Sequence, residues 1–340
     1  MNGIIFAVRT SKGKVNMKTA NMFKIAASAA FAMVCGVCSA WSERVDSPDG
    51  TVKVWINSQG KRLAWSLVRK NTKIFTDSEI GLEFKGQKPF GAFKVVKRSG
   101  KFIDSTWETR LYKKRLVRDF CKQMVLELEE EKPPHRKLDI HVRVYDGSVA
   151  LRYGIPEQKA FKEFTVEKEK TAFKFLGDPS GWFTVYPKHK DSQEQPFLHR
   201  SIQSLPKKDA LIGFPAIVKV HDVYAAICEA DLTDWAGLFL KRSDEKNVPV
   251  DCSQLEAEPS PRLDGKGLVV SETPRVSPWR VVILGGTPAE LTENNDVIMN
   301  LNPPPEGGDD AFSWVKPGVS AWDCGRGRVK AGLRWRRNRK

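Results

Sequence analysis

Apolar and polar positions alternate with a period of two over most of the first half of the chain. Val52, Val54 and Ile56 share one face, Gln59-Gly60 supplies a turn, and Leu63, Trp65 and Leu67 return on the same face. Successive side chains of a strand point to opposite sides, so this alternation predicts a half-buried hairpin and not a helix. The pattern recurs at Leu138, Ile140, Val142 and Val144, then at Val149, Leu151 and Tyr153 across Asp146-Gly147. Asp-Gly between two alternating runs is a strong hairpin signal, because both residues tolerate the positive φ of a tight turn. Ser47-Pro48-Asp49-Gly50 reads as a further turn, Phe173 and Phe175 begin another strand, and residues 217–220 and 223–228 form a hairpin about His221-Asp222. A helical pattern is confined to residues 289–301, through Leu291, Val297, Ile298 and Leu301, and the charged stretch 113–122 reads as a loop or a sheet edge. Many short strands without interleaved helices predict an all-β fold, a large antiparallel sandwich.

Residues 223–228 form the most apolar of these runs and end directly on Glu229-Ala230-Asp231-Leu232-Thr233-Asp234. Carboxylates just past a buried strand serve either as solvated turn residues or as ligands for a sugar or a hard cation, which is bound by oxygen. The pattern alone leaves both open. Asp231 and Asp234 read as turn or capping residues.

Charge changes the picture only at the ends. The formal net charge is +15, of which +5 lies in residues 1–40 and +8 in residues 325–340, neither segment carrying an acid. Residues 41–324 are therefore nearly balanced at +2, and a nucleic-acid partner is not expected. A basic arm at 325–340 with Trp335 stacking on bases is the reading that would reverse this, and its binding would show a salt slope that vanishes with the arm. At the N-terminus, Lys24 precedes an apolar run over residues 25–37 and Cys38-Ser39-Ala40 supplies small residues, which predicts a secretory signal peptide, residues 1–40, cut after Ala40. Translation from Met17 or Met22 would preserve it. The run is shorter than the ~20 residues of a spanning helix, so no transmembrane span is expected after processing, and the protein is expected to be periplasmic or secreted. Cys121, Cys228, Cys252 and Cys324 remain, too widely spaced for a disulfide framework or a zinc pattern, and are expected to be mostly free and buried.

Sequence order also divides the mature chain. Residues 41–305 are the predicted sandwich domain, residues 306–323 follow a Pro/Gly-rich Asn300-Leu301-Asn302-Pro303-Pro304-Pro305 segment as a linker, and residues 324–340 form the basic tail. No phosphate-binding glycine loop, His-Glu-x-x-His or Gly-x-Ser-x-Gly motif is present. The histidines at 135, 141, 189, 199 and 221 have no ligand spacing and read as surface or turn residues. Trp55, Trp65, Trp107, Trp182, Trp235, Trp279, Trp314 and Trp322 are either core and packing residues or flat faces for sugars.

Several of these stretches together resemble the N-terminal domain of glycoside hydrolase family 97. They are Ser47-Pro48-Asp49-Gly50, Val144-Tyr145-Asp146-Gly147 with Val149-Ala150-Leu151-Arg152-Tyr153, and Glu229-Ala230-Asp231-Leu232-Thr233-Asp234. Ser277-Pro278-Trp279-Arg280-Val281-Val282, Asn300-Leu301-Asn302-Pro303-Pro304, Ser313-Trp314-Val315-Lys316-Pro317-Gly318 and Ala321-Trp322-Asp323 continue the series. The resemblance implies a super-sandwich like that of galactose mutarotase, followed in the family by a β/α barrel that hydrolyses α-glucosides or α-galactosides with two barrel carboxylates and a nearby calcium ion. It implies Glu229 as the sandwich's single calcium ligand, α-linked oligosaccharides or glycosides as ligands, and no catalytic residue in this chain. After Asp323, Cys324-Gly325-Arg326-Gly327 departs from the family pattern, so the chain is expected to be inactive alone, its site completed by a missing barrel. A free-standing carbohydrate-binding module is the other carbohydrate-linked reading.

Overall fold

The computed structural model describes residues 40–318 apart from 110–111, 244–247, 305 and 317. The predicted leader up to residue 39, Cys324 and the basic tail lie outside the described residues.

Antiparallel strands dominate, so the all-β expectation holds. One layer is a ten-stranded sheet. It runs from Leu198–Ser201 at one edge through Ser180–Phe183, Ala216–Val220, Val223–Ala230, Trp279–Gly285, Ser148–Ile155, Lys137–Tyr145 and Leu116–Glu130 to Phe93–Glu108 at the other. Arg275–Val276 pairs with the end of Ser148–Ile155. Facing it are a four-stranded sheet (Trp41–Asp46 to Thr72–Ile80), a five-stranded sheet and a three-stranded sheet that contains Glu163–Glu169. The four- and five-stranded sheets adjoin, since the Lys174 N–H donates to Ser78 Oγ at 2.8 Å and Trp65 Nε1 donates to the Ala172 carbonyl at 2.9 Å.

The predicted hairpins form in the expected register. Tyr145 pairs with Ser148 around Asp146-Gly147, Gln59 pairs with Arg62, and Val220 pairs with Val223 around His221, whose φ of 53° gives the tight turn its hand. Val52, Val54, Ile56, Leu63, Trp65 and Leu67 from one layer meet Leu126, Ile140, Val142, Val149, Leu151 and Ile227 from the other in one continuous core. Burial of that apolar area, at roughly 25 cal/mol per Å², is the main force holding the layers together. Phe75 and Phe173 lean on Trp65 with centroids 4.6 and 5.5 Å away, which seals the centre of this core with tilted aromatic contacts.

A second, smaller core covers the outer face of the ten-stranded sheet. The helical stretch predicted at 289–301 is two short helices, Pro288–Asn294 and Asp296–Leu301, separated at Asn295. Thr287 caps the first, its Oγ1 accepting the Glu290 N–H at 3.3 Å, and Pro288 follows where a missing N–H costs nothing. Leu291, Val297 and Leu301 from these helices pack on Tyr145, Ala150, Trp279, Val281 and Ile283. Trp279–Gly285 is consequently buried on both faces, which explains its unbroken apolar sequence on either side of Arg280.

The charged stretch 113–122 is not a loop throughout. From Leu116 onward it belongs to the Leu116–Glu130 strand, second from the sheet edge. Its charges alternate onto exposed sides, where Arg118 pairs with Asp104 at 2.8 Å. Cys121, Cys228 and Cys252 are free, but Cys228 lies half-buried on the outer face and not in the main core. No helix of the described residues is long and apolar enough to cross a membrane.

Candidate functional site

Alternation along Val223–Ala230 decides where Glu229 goes. Val223, Ala225 and Ile227 face the main core, so Glu229 continues on that same face and its carboxylate enters the end of the sandwich interior. Arg280 stands opposite it in register on the neighbouring strand. The Arg280 side chain is wholly buried, and its Nη1 donates to Glu229 Oε2 at 2.8 Å. Its Nε and Nη2 donate to the two oxygens of Glu169 at 2.7 and 2.6 Å, a bidentate pair arriving from the opposite layer. Thr171 Oγ1 donates to Glu169 at 2.7 Å, Tyr153 and Thr171 hydroxyls meet at 2.7 Å, and the Gly81 N–H donates to the Tyr153 hydroxyl oxygen at 3.0 Å. The Glu229 oxygens also take the Leu238 N–H at 3.2 and 3.3 Å.

Two carboxylates share one guanidinium in this trio, so ionised it carries one surplus negative charge. That surplus falls to Glu229, because the side chains of Arg280 and Glu169 are 0% and 1% exposed whereas that of Glu229 is 15% exposed. Burial pushes the Glu229 carboxyl above its ordinary value, against the opposing pull of Arg280 and the Leu238 amide. Among the described residues no three His, Cys, Asp or Glu side chains converge on a metal-sized space. A carboxylate has about four acceptor positions and a calcium ion takes six to eight oxygens, so the residues present fit one ligand of a shared site and not a complete site.

The loop that follows is held in place by the motifs singled out in the sequence. Asp231 and Asp234 adopt φ of 58° and 50°, turn conformations as predicted. Asp231 goes further, pairing with Arg152 Nη1 at 3.2 Å, and its N–H donates to Asn302 Oδ1 at 3.1 Å. Arg275 Nη2 donates to the Thr233 and Asp234 carbonyls at 3.2 Å each. Ser277 closes on the same sheet, its hydroxyl accepting the Tyr153 N–H at 3.0 Å. At the far end of Ser148–Ile155, the Asp49 N–H donates to Asp146 Oδ1 at 2.9 Å, joining the two Asp-Gly turns.

Sequence reasoning missed Arg280 and Glu169 as partners of Glu229, although an arginine inside Trp279–Gly285 signals an obligatory counter-charge, since buried charges are paired. It also placed His141 among surface or turn histidines. His141 lies mid-strand in Lys137–Tyr145 and is half-buried, and burial with nearby Arg152 and Arg143 pushes its pKa down to about 4. Trp65 and Trp279 are core residues, the Trp182 ring is stacked on His199 at 4.6 Å, and Trp107 Nε1 donates to Asn300 Oδ1 at 2.9 Å. Trp322 lies outside the described residues.

Residues 45–304 match the family model described as glycosyl-hydrolase 97 N-terminal. The chain belongs to glycoside hydrolase family 97. The match covers the sandwich and both helices, hence the whole Glu169–Arg280–Glu229 network. Similarity extends to a retaining alpha-galactosidase of Bacteroides thetaiotaomicron, 24% identical over 86% of this chain and 46% of that protein. A family 97 enzyme variant from Pseudoalteromonas sp. strain K8 superposes with a TM-score of 0.72 at 26% identity, covering 81% of this chain and 40% of that one. The structure of a second variant from that organism, in complex with panose, gives a TM-score of 0.68 at 25% identity with the same coverage. The chain thus spans less than half the length of these family 97 relatives, over the part that the family model assigns to their N-terminus.

Proposed function

We propose that this chain is the carbohydrate-associated sandwich of an exported family 97 α-glycosidase, and that Glu229 gives one carboxylate to a calcium ion beside the sugar. The observation that carries the reading is the surplus charge of the buried trio, delivered at the sheet end by the one member with solvent access. Arg280 holds the Glu229 carboxylate in one orientation, so a cation that meets it from outside finds a fixed ligand and no rotamer to order.

Glycoside hydrolysis needs two carboxyl groups flanking the scissile bond, about 5–9.5 Å apart, with the sugar between them. Glu169 is locked by Arg280 and buried, and Asp231 is engaged by Arg152. The acid and its partner carboxylate accordingly come from a barrel outside residues 41–305, and α-linked glucosides or galactosides are the substrates, as the panose complex and the galactosidase among the relatives suggest. Purified chain is assayed on aryl α-glucosides and α-galactosides, with no turnover expected; turnover lost in a variant of this chain would refute the division of labour. Calcium calorimetry tests Glu229. Weak, roughly millimolar binding abolished in Glu229→Gln is expected, whereas undiminished binding in that variant would remove Glu229 from the site.

A further inference from the structure

The ten-stranded sheet ends in an arm. Leu116–Glu130 pairs with Phe93–Glu108 along its whole length but with Lys137–Tyr145 only from Lys122 to Glu129, so residues 102–108 and 116–122 run on as two strands alone. A two-stranded ribbon is marginal by itself. One face of this arm is fastened to the helices: Ile103 packs on the smaller core, and Asn300 accepts from Trp107 Nε1 at 2.9 Å and donates to the Arg118 carbonyl at 3.0 Å. The other face stands open. Phe102 and Leu116 are 55% and 60% exposed, and the Phe102 ring meets Phe120 edge-on at 5.3 Å, beside the Arg118 guanidinium that lies 3.9 Å from the Phe120 centroid. Phe93–Glu108 is also the last strand of the sheet, with no strand on its outer side among the described residues. A bare edge is a template for another strand. Its charges are polarised: Lys94, Lys97, Arg98 and Lys101 precede Phe102 with no acid among them, and Asp104 and Glu108 follow it with no base.

We propose that this strand pairs antiparallel with the same strand of a second copy of the chain, about a two-fold axis at Phe102. Such pairing is isologous, so each basic half lies along the acidic half of the other copy. Arg98 then faces Thr106 of the second copy and stands diagonal to its Asp104 and Glu108, within reach of a long side chain. Arg98 already holds Glu43 at 2.8 Å and Asp104 holds Arg118 at 2.8 Å, so the new contacts join exposed ion pairs into a network and bury no bare charge. On the axis the two Phe102 rings meet, each backed by its own Phe120. An axis at Lys101 would set that lysine against itself, and one at Ile103 would set Phe102 against Asp104. The charges that discourage other strands therefore select this register. The bulge between Val95 and Lys97 ends the regular edge. Pairing over residues 97–107 makes about ten to twelve backbone hydrogen bonds, comparable to the roughly ten of an ordinary protein interface.

A monomer–dimer equilibrium with a dissociation constant on the order of 10 µM is expected in sedimentation equilibrium of the purified chain at up to roughly 200 µM. Arg98→Glu and Asp104→Arg should each weaken it about tenfold, and the double variant, which restores opposite charges across the axis, should recover most of the loss. Disulfide trapping reads the register directly. Oxidation with copper phenanthroline should join Phe102→Cys chains, because Cβ atoms directly opposite across an antiparallel pair stand about 4.5–5.5 Å apart. Ser105→Cys, whose counterpart lies about 20 Å away along the strands, should cross-link no more than the unmodified chain. Should a charge variant fail to fold, the cross-links decide. A chain monomeric at the highest concentration, a dimer indifferent to both charge variants, or equal cross-linking at positions 102 and 105 would each overturn the proposal.

Discussion

Arg280 and Glu169 meet through two parallel hydrogen bonds of 2.6 and 2.7 Å, with both side chains essentially removed from solvent. The residues are 111 positions apart and belong to opposite layers, so this pair pins the sandwich shut at the end where Glu229 emerges. Arg280→Met would leave two carboxylates facing each other in the interior. Breaking a buried ion pair on one side costs about 3–5 kcal/mol. A loss of that size in urea unfolding free energy is expected, with part of it recovered when Glu169→Gln is added. A loss below about 1 kcal/mol would show that the network contributes little.

Asp139 gives the fold a measurable pH signature. Its ordinary value of 3.8 rises to about 6 in the folded chain, first through burial and then through Glu127, with Lys137 and Lys97 opposing. The folded state therefore holds the proton more tightly, and ionised Asp139 weakens the fold as pH climbs from about 4 to about 6. Asp139→Asn should stabilise the chain at pH 7 by roughly 1 kcal/mol, after allowing for solvent screening of a part-exposed group. At pH 4 it should gain nothing. Equal effects at both pH values would contradict the shift.

His141 has the opposite sign. Burial, Arg152 and Arg143 lower it from 6.5 to about 4, so its contribution is complete above pH 6.5 and is lost as pH falls towards 4. His141→Gln should flatten that acid limb by up to about 3 kcal/mol, read from melts between pH 7 and pH 4. An acid limb of unchanged steepness would mean that His141 is protonated freely in the folded chain.

Gly181 tests the packing of the opposite end of the sheet. A Cβ there would collide with the Ile217 carbonyl oxygen and come within 2.6 Å of the Phe183 ring. Backbone has little freedom to retreat inside paired strands, so Gly181→Ala should cost about 1–3 kcal/mol in thermal or urea unfolding. An unchanged melting temperature would imply that the strand Ser180–Phe183 can shift freely.

Much of the architecture was legible because burial on one face writes itself as alternation. Val52/Val54/Ile56 and Leu138/Ile140/Val142 both point into the main core, and Asp146-Gly147 turns the chain between its two alternating runs, although neither residue takes the positive φ that makes the pair a common turn. Stretch 113–122 was harder, since Asp119 interrupts the buried face between Val117 and Cys121 while the apolar Leu116 and Phe120 stand on the other, more open face. The site was legible only in part. Glu229 stood out as an acid ending an apolar run, but nothing local to it names Glu169 or Arg280 as partners. The half-burial of Asp139 and His141 was illegible for a related reason: the room they occupy is left by Gly154 on the next strand, a residue whose lack of a side chain leaves no mark on hydrophobic periodicity.

The hydrogen bond from the Asp231 N–H to Asn302 Oδ1 fastens the point where the chain leaves the sandwich to the loop just beyond Glu229. The segment after Asn302 thus begins its path beside that carboxylate. Short tethers hold their cargo at millimolar local concentration. A contact at the Glu229 end of the sheet with a dissociation constant of roughly 0.1 mM would then be occupied most of the time, without any large interface to hold it.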